Sequence, residues 1–124
     1  MRIITQQWGD SLTRHNLLGM GGILMLDIRH TKIENLPEVQ IGDGYLWNLC
    51  VEDKHRRHHA ATALLKKAER IATANGCERL WLEWNIKESP EWVFRWYCHL
   101  GYDEKVFGKG YALMCKQLKG GDDA

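Results

Sequence analysis

The chain has 124 residues, with 17 Lys and Arg against 16 Asp and Glu and a formal charge of +1. That length fits one domain large enough to bury a real core, and 44% hydrophobic with 27% charged residues describes a globule rather than a disordered tail. Near-neutrality argues against a protein built to coat DNA or RNA, which needs a clear basic excess.

Arg2 to Trp8 reads as a short strand, and Asp10-Ser11-Leu12-Thr13 as the cap of a brief helical turn before Gly19, Gly21 and Gly22. Gly22 to Arg29 is a strand, apolar until Asp27. His30 to Gly44, with Pro37, Asn35 and Asp43, is a polar loop carrying a strand fragment at Val39-Gln40-Ile41. Tyr45 to Val51 is almost wholly apolar, the pattern of a central strand covered on both faces.

Ala61, Leu64, Leu65, Ala68, Ile71 and Ala72 then recur at helical spacing, and Asn75-Gly76 supplies the stop. Glu78 to Asn85 is a strand. Ser89-Pro90-Glu91 opens a second helix with a hydroxyl at the cap, proline in the first turn and an acid favoured by the dipole. Val93, Trp96, Tyr97 and Leu100 form its apolar stripe, and Gly101 ends it. Tyr102 to Phe107 and Tyr111 to Leu118 make a hairpin around Gly108-Lys109-Gly110. The expected class is α+β: a mixed β-sheet with a central parallel strand pair, one long crossover helix, a C-terminal helix and a β-hairpin. A single domain is expected over 1–119, with a flexible tail at 120–124.

The segment from Val51 to Leu65 carries the most chemistry. A buried strand runs through a basic turn straight into the long helix, whose first N–H groups lack intrahelical partners and whose dipole presents positive potential. Such a place suits a phosphate. Small residues at Ala60 and Ala61 let an anion approach the backbone, and Arg56 and Arg57 add charge.

Laid on these residues without a gap, the segment resembles the acyl-CoA-binding signature of the GNAT superfamily of N-acetyltransferases. Val51 matches its closing valine, His55 its aromatic, Arg56 its R/Q position, Ala61 its second small residue and Leu64-Leu65 its apolar pair. Downstream, Val93 to Tyr102 is similar to the family's A-x-x-F-Y-x-x-L-G-F segment. Two departures stand out: His59 replaces a glycine and Asp53 a proline. Either His59 keeps helical geometry and donates to phosphate, or the loop is altered. The N-terminal region is also short, with room for about one helical turn where the family places two helices to wall the acceptor site.

The resemblance implies a GNAT-like acyl-CoA N-acyltransferase fold and transfer of an acetyl group from acetyl-CoA to an amine by direct attack in a ternary complex. It places the pantetheine arm between splayed parallel strands ending at Val51 and Asn85, against backbone groups of Leu49, Cys50 and Val51. The pyrophosphate takes N–H groups over Arg57, His58, His59, Ala60, Ala61 and Thr62, with Arg56 beside them. A strand N–H near Leu49 or Val51 stabilises the developing oxyanion, and Tyr97, at the family's tyrosine position, protonates the departing thiolate. Glu83 ranks first as the amine's base, ahead of Glu52, Asp43 and water.

Alternatives remain open at this level. A catalytically degenerate CoA-binding or protein-interaction module of the same fold is the first, and a nucleic-acid binder using Lys54 to His59 the second. His55, His58 and His59 lack a carboxylate or thiol to complete a metal set, so no metal is expected. One of Trp81, Trp84, Trp92 and Trp96 is a candidate wall of the acceptor channel. The longest apolar stretch, Leu17 to Ile28, is broken by glycines and Asp27, and Met1 to Gln7 lacks the core of a secretory leader. Four scattered cysteines, Cys50, Cys77, Cys98 and Cys115, read as free thiols. The expected location is therefore cytoplasmic, with no membrane or nucleic-acid partner and a homodimer as a candidate assembly.

Overall fold

The computed structural model describes residues 1–19, 21–51 and 59–118. Seven strands and two helices follow in the order β1 (Arg2–Trp8), β2 (Leu12–Gly19), β3 (Gly22–Arg29), β4 (Gly44–Val51), α1 (Ala60–Ala74), β5 (Arg79–Asn85), α2 (Glu91–His99), β6 (Asp103–Gly108) and β7 (Tyr111–Gln117). They build a single sheet in the order β1-β2-β3-β4-β5-β7-β6. Every neighbouring pair is antiparallel except β4 and β5, which run parallel on either side of the crossover helix.

One strand departs from the expectation. Leu12–Gly19 is not a capped turn but β2, paired over its whole length with both β1 and β3. Its middle, Thr13-Arg14-His15-Asn16, is polar on both faces, so the alternation that marks a strand is missing. Conversely, Val39-Gln40-Ile41 forms no strand; the segment stays a loop, fastened where the Asp43 carboxylate accepts the Gln40 N–H at 2.9 Å.

α1 buries Ala60, Leu64, Leu65, Ala68 and Ala72 against β2, β3 and β4. Each fully buried leucine contributes about 2 kcal/mol. The helix ends as its sequence dictates: Gly76 turns left-handed at φ 84°, and the Asn75 side chain donates to the Ile71 carbonyl. α2 starts one residue later than its hydroxyl signal implies. Pro90 is the capping residue, and no side-chain cap hydrogen bond forms.

The main core lies on the helix-covered face and joins Leu24, Leu26, Leu46, Leu80, Leu82 and Tyr102 to the helices. A smaller cluster, Val39, Tyr45, Trp81, Leu113 and Cys115, lies under the 30–43 loop on the opposite face. Because strand side chains alternate between faces, the sheet carries its apolar core on one side and a more polar surface on the other.

Candidate functional site

The site begins with a pairing that stops early. β4 and β5 are in register only at Gly44↔Leu80 and Tyr45↔Trp81, although both strands continue, to Val51 and Asn85. The register on the other side of β4 supplies the cause. Met25 pairs with Trp47 but Ile23 with Cys50, so two steps on β3 face three on β4. An extra residue of this kind is a β-bulge, which bends its strand and sharpens its twist. β4 therefore swings away from β5, which stays paired with β7 from Arg79 to Asn85.

Between the divergent ends lies a small cleft of about 50 Å³. Leu24, Leu46, Leu49, Leu65 and Leu82 form its apolar wall, and Trp47, Glu83 and Tyr97 line the rest. The two candidate catalytic residues thus meet at one opening. They reach it from opposite faces: Tyr97 from α2 on the core side, Glu83 from the face it shares with Trp81, since its neighbours Leu82 and Trp84 point into the main core.

Tyr97 is 8% exposed, its ring 5.2 Å from that of Trp96 and 6.2 Å from that of Tyr102. Burial pushes its phenol up to about 12, so at neutral pH it is a proton donor. Glu83 shifts upward too, first because its carboxylate is partly desolvated and then because Glu88 repels it. A carboxylate raised in this way is a stronger base than an ordinary one.

Among the other candidate residues, Leu49 packs on the main core and lines the cleft, and Cys50 is exposed opposite Ile23. The backbone of Val51 closes β4 against Gly22. Ala60 is buried, and Ala61 and Thr62 are half-buried on the first turn of α1, where N–H groups lack intrahelical partners. Arg56, Arg57 and His58 lie outside the described residues, as do Glu52, Lys54, His55 and the tail at 120–124.

His59 does not keep helical geometry. It takes φ 59° and ψ 18°, a left-handed conformation that a glycine adopts without strain, while its carbonyl accepts the Ala63 N–H at 2.9 Å. A Cβ in that region costs about 1–2 kcal/mol, so α1 starts in spite of the residue at this position rather than because of it.

Asn85 shapes the turn into α2: its side-chain oxygen accepts the Lys87 N–H at 2.9 Å and its carbonyl accepts Ser89 N–H at 2.9 Å. Asp43 sits away from the cleft, accepting from Arg79 Nε at 3.2 Å and from Trp81 Nε1 at 2.8 Å. It fastens the 30–43 loop to β5.

The indole at the opening is Trp47, not one of the four tryptophans singled out from the sequence. Trp81 is engaged with Asp43, Trp84 donates to the Pro90 carbonyl at 3.2 Å, Trp92 is exposed and Trp96 packs on Tyr97. Trp47 sits in a run that reads as buried strand, and the bulge that brings it to the cleft has no glycine to announce it. The available signal was Asp27, a charge inside an apolar strand that demands a partner.

Among the described residues no group of three or more His, Cys, Asp or Glu is placed to hold a metal ion, and no helix is long and apolar enough to cross a membrane.

The fold is shared with several solved acetyltransferases. The ribosomal-protein-S18-alanine N-acetyltransferase of Escherichia coli superimposes with a TM-score of 0.62 at 19% identity, over 94% of this chain and 76% of its own. An acetyltransferase of Bacillus cereus gives 0.65 at 19% identity, over 88% and 76%. The PaiA N-acetyltransferase of Thermoplasma acidophilum, solved in complex with coenzyme A, gives 0.61 at 18% identity over 77% of this chain, which spans 52% of that longer one. No curated protein sequence matches the chain. The sequence model of the acetyltransferase (GNAT) family matches residues 10–102, and with three quarters of its length inside that match the chain belongs to the GNAT acetyltransferase family.

Proposed function

We infer that the protein is an acetyl-CoA-dependent N-acetyltransferase in which an amine attacks the donor directly. The observation that carries this reading is the divergence of β4 and β5 after Tyr45 and Trp81, which opens a cleft with Tyr97 on one side and Glu83 on the other. Family membership supports acetyl-CoA as the donor, and the described residues fit it. The facing edges of β4 and β5 have no ladder partner beyond Tyr45 and Trp81 among the described residues, so an extended arm carrying amides can complete the sheet there. The first N–H groups of α1, which begins at Ala60, lack intrahelical partners, and such a helix start suits an anion.

When bound, acetyl-CoA supplies an activated acyl thioester; the rest is done by the chain. Backbone groups from Leu49 to Val51 align the arm, and an N–H near the bulge faces the carbonyl oxygen, stabilising negative charge that grows in the transition state. Glu83 takes the proton of the amine as its nitrogen bonds to the carbonyl carbon. The carbon–sulfur bond breaks, and Tyr97 gives its phenolic proton to the departing thiolate. Holding both partners in one opening supplies much of the acceleration. Tyr97 and Glu83 lining one opening favour an enzyme over an inert binding module.

The test is thiol release from acetyl-CoA with and without a panel of primary amines, beside calorimetric titration of acetyl-CoA alone. Amine-dependent release is the expected result. Binding without amine-dependent release would contradict the catalytic reading in favour of the module.

A further inference from the structure

The face of the sheet opposite the helices carries a chain of contacts that the transfer chemistry does not use. Asp27 on β3 is 0% exposed and accepts three hydrogen bonds. Its Oδ1 accepts Arg14 Nε at 2.7 Å, and its Oδ2 accepts Arg14 Nη2 at 2.9 Å and Trp47 Nε1 at 2.6 Å. Arg14 in turn lies 5.1 Å from the centre of the Trp8 ring. The series Trp8, Arg14, Asp27 and Trp47 crosses β1 to β4, and it ends at the cleft, which Trp47 lines together with Glu83.

Burying such an ion pair is costly. Desolvation amounts to several kcal/mol per ion, and apolar replacements of similar shape are often neutral or stabilising. What the arrangement fixes is orientation. The N–H bond pins the indole edge to β3, leaving Trp47 36% exposed and its ring centre 4.7 Å from that of Tyr45. Arg14 already neutralises Asp27, so among the described residues the carboxylate that lines the opening is that of Glu83. An aromatic surface beside a carboxylate is the recognition chemistry of an organic ammonium ion.

We propose that Trp47 is the platform on which the acceptor rests, with Asp27 as its positioning residue, and that the acceptor is a primary ammonium on a short apolar arm. This rests on the acetyl-transfer reading above. The ammonium lies over the indole face and against the Glu83 carboxylate; it loses one proton to water before attack, and Glu83 takes the second as the nitrogen bonds to the carbonyl carbon.

Two probes test it, 2-phenylethylamine and 1,4-diaminobutane, with KM and kcat measured for Trp47→Leu, Trp47→Phe and Asp27→Asn beside a direct titration of acetyl-CoA. Trp47→Leu should raise KM for the probes about tenfold, the size of a partly desolvated cation–aromatic contact, while acetyl-CoA affinity stays within about twofold. Trp47→Phe keeps an aromatic face and should recover most of that loss. Asp27→Asn should raise KM with little change in kcat. If that variant does not fold, the paired change Arg14→Met with Asp27→Leu removes both charges together and should raise KM in the same way. Unchanged KM in Trp47→Leu, or an increase matched by an equal loss of acetyl-CoA affinity, would overturn the proposal. So would an unmodified protein that transfers acetyl to other primary amines yet to neither probe; acetyl-CoA binding with transfer to no amine would instead strike the catalytic reading. Failure of the unmodified protein to bind acetyl-CoA would instead strike the donor reading itself.

Discussion

The two ends of the β4–β5 pair make opposite uses of the same strands. At the closed end, Gly44 and Tyr45 lie in register with Leu80 and Trp81, and the approach is so close that a Cβ on Gly44 would sit 2.8 Å from Leu80 Cδ1 and 3.2 Å from Leu26 Cδ1. Asp43 adds a tie across the gap through Arg79 and Trp81. A few residues further on, the bulge has turned β4 away and the strands enclose a cleft instead of a ladder. One end spends its polar groups on holding the sheet, and the other leaves them for a ligand. Changes at the open end should therefore alter chemistry and spare stability, with the reverse at the closed end.

The largest effect is expected at Tyr97. Tyr97→Phe should lower turnover about 100-fold, within the range for loss of a general acid, while acetyl-CoA affinity holds, as read by thiol release and titration. Normal turnover would remove the phenol from the mechanism.

Glu83→Gln should lower kcat/KM by about tenfold or more and also change its pH dependence. The proposed base works as the carboxylate, so kcat/KM of the unmodified protein should rise as pH climbs through the pKa of Glu83, which desolvation and then Glu88 raise from its ordinary value. The glutamine variant should lack that rise. A profile of unchanged shape would assign the base elsewhere.

At the closed end the sign of the contrast reverses. Asp43→Ala strips partners from Trp81, Arg79 and the Gln40 N–H and should cost about 2–3 kcal/mol in denaturant unfolding. Activity per folded molecule should stay the same. A selective loss of turnover would mean that Asp43 takes part in proton transfer after all.

The smallest effect belongs to His59→Gly, which should stabilise the protein. Relief of left-handed strain, about 1–2 kcal/mol, outweighs the added freedom of the unfolded chain, about 0.4–1 kcal/mol. Melting should rise by a few degrees, with acetyl-CoA binding equal or tighter. A marked loss of affinity would show that the imidazole is itself a ligand.

Much of this architecture was legible in the sequence where one residue pattern had one physical meaning. The α1 stripe, the Asn75-Gly76 stop and the hairpin over Lys109 and Gly110 all fall where spacing and turn chemistry put them. β2 was not legible, because Thr13 to Asn16 offers no alternation and its pairing depends on strands far away. The same distinction holds at the site. Tyr97 and Glu83 could be named from their motif and strand, but their meeting at one opening depends on a bulge in β4 that no local residue encodes. Trp47 stayed hidden for the same reason: its importance comes from Asp27 and Arg14, contributed by two other strands.

The central claim is that the acyl donor completes the sheet in the gap between β4 and β5, and a crystal structure with acetyl-CoA bound tests it most directly. The account predicts the arm hydrogen-bonded along Leu49 to Val51, with its sulfur within about 3–3.5 Å of the Tyr97 hydroxyl. A donor bound elsewhere on the protein, with Tyr97 remote from the thioester, would contradict it.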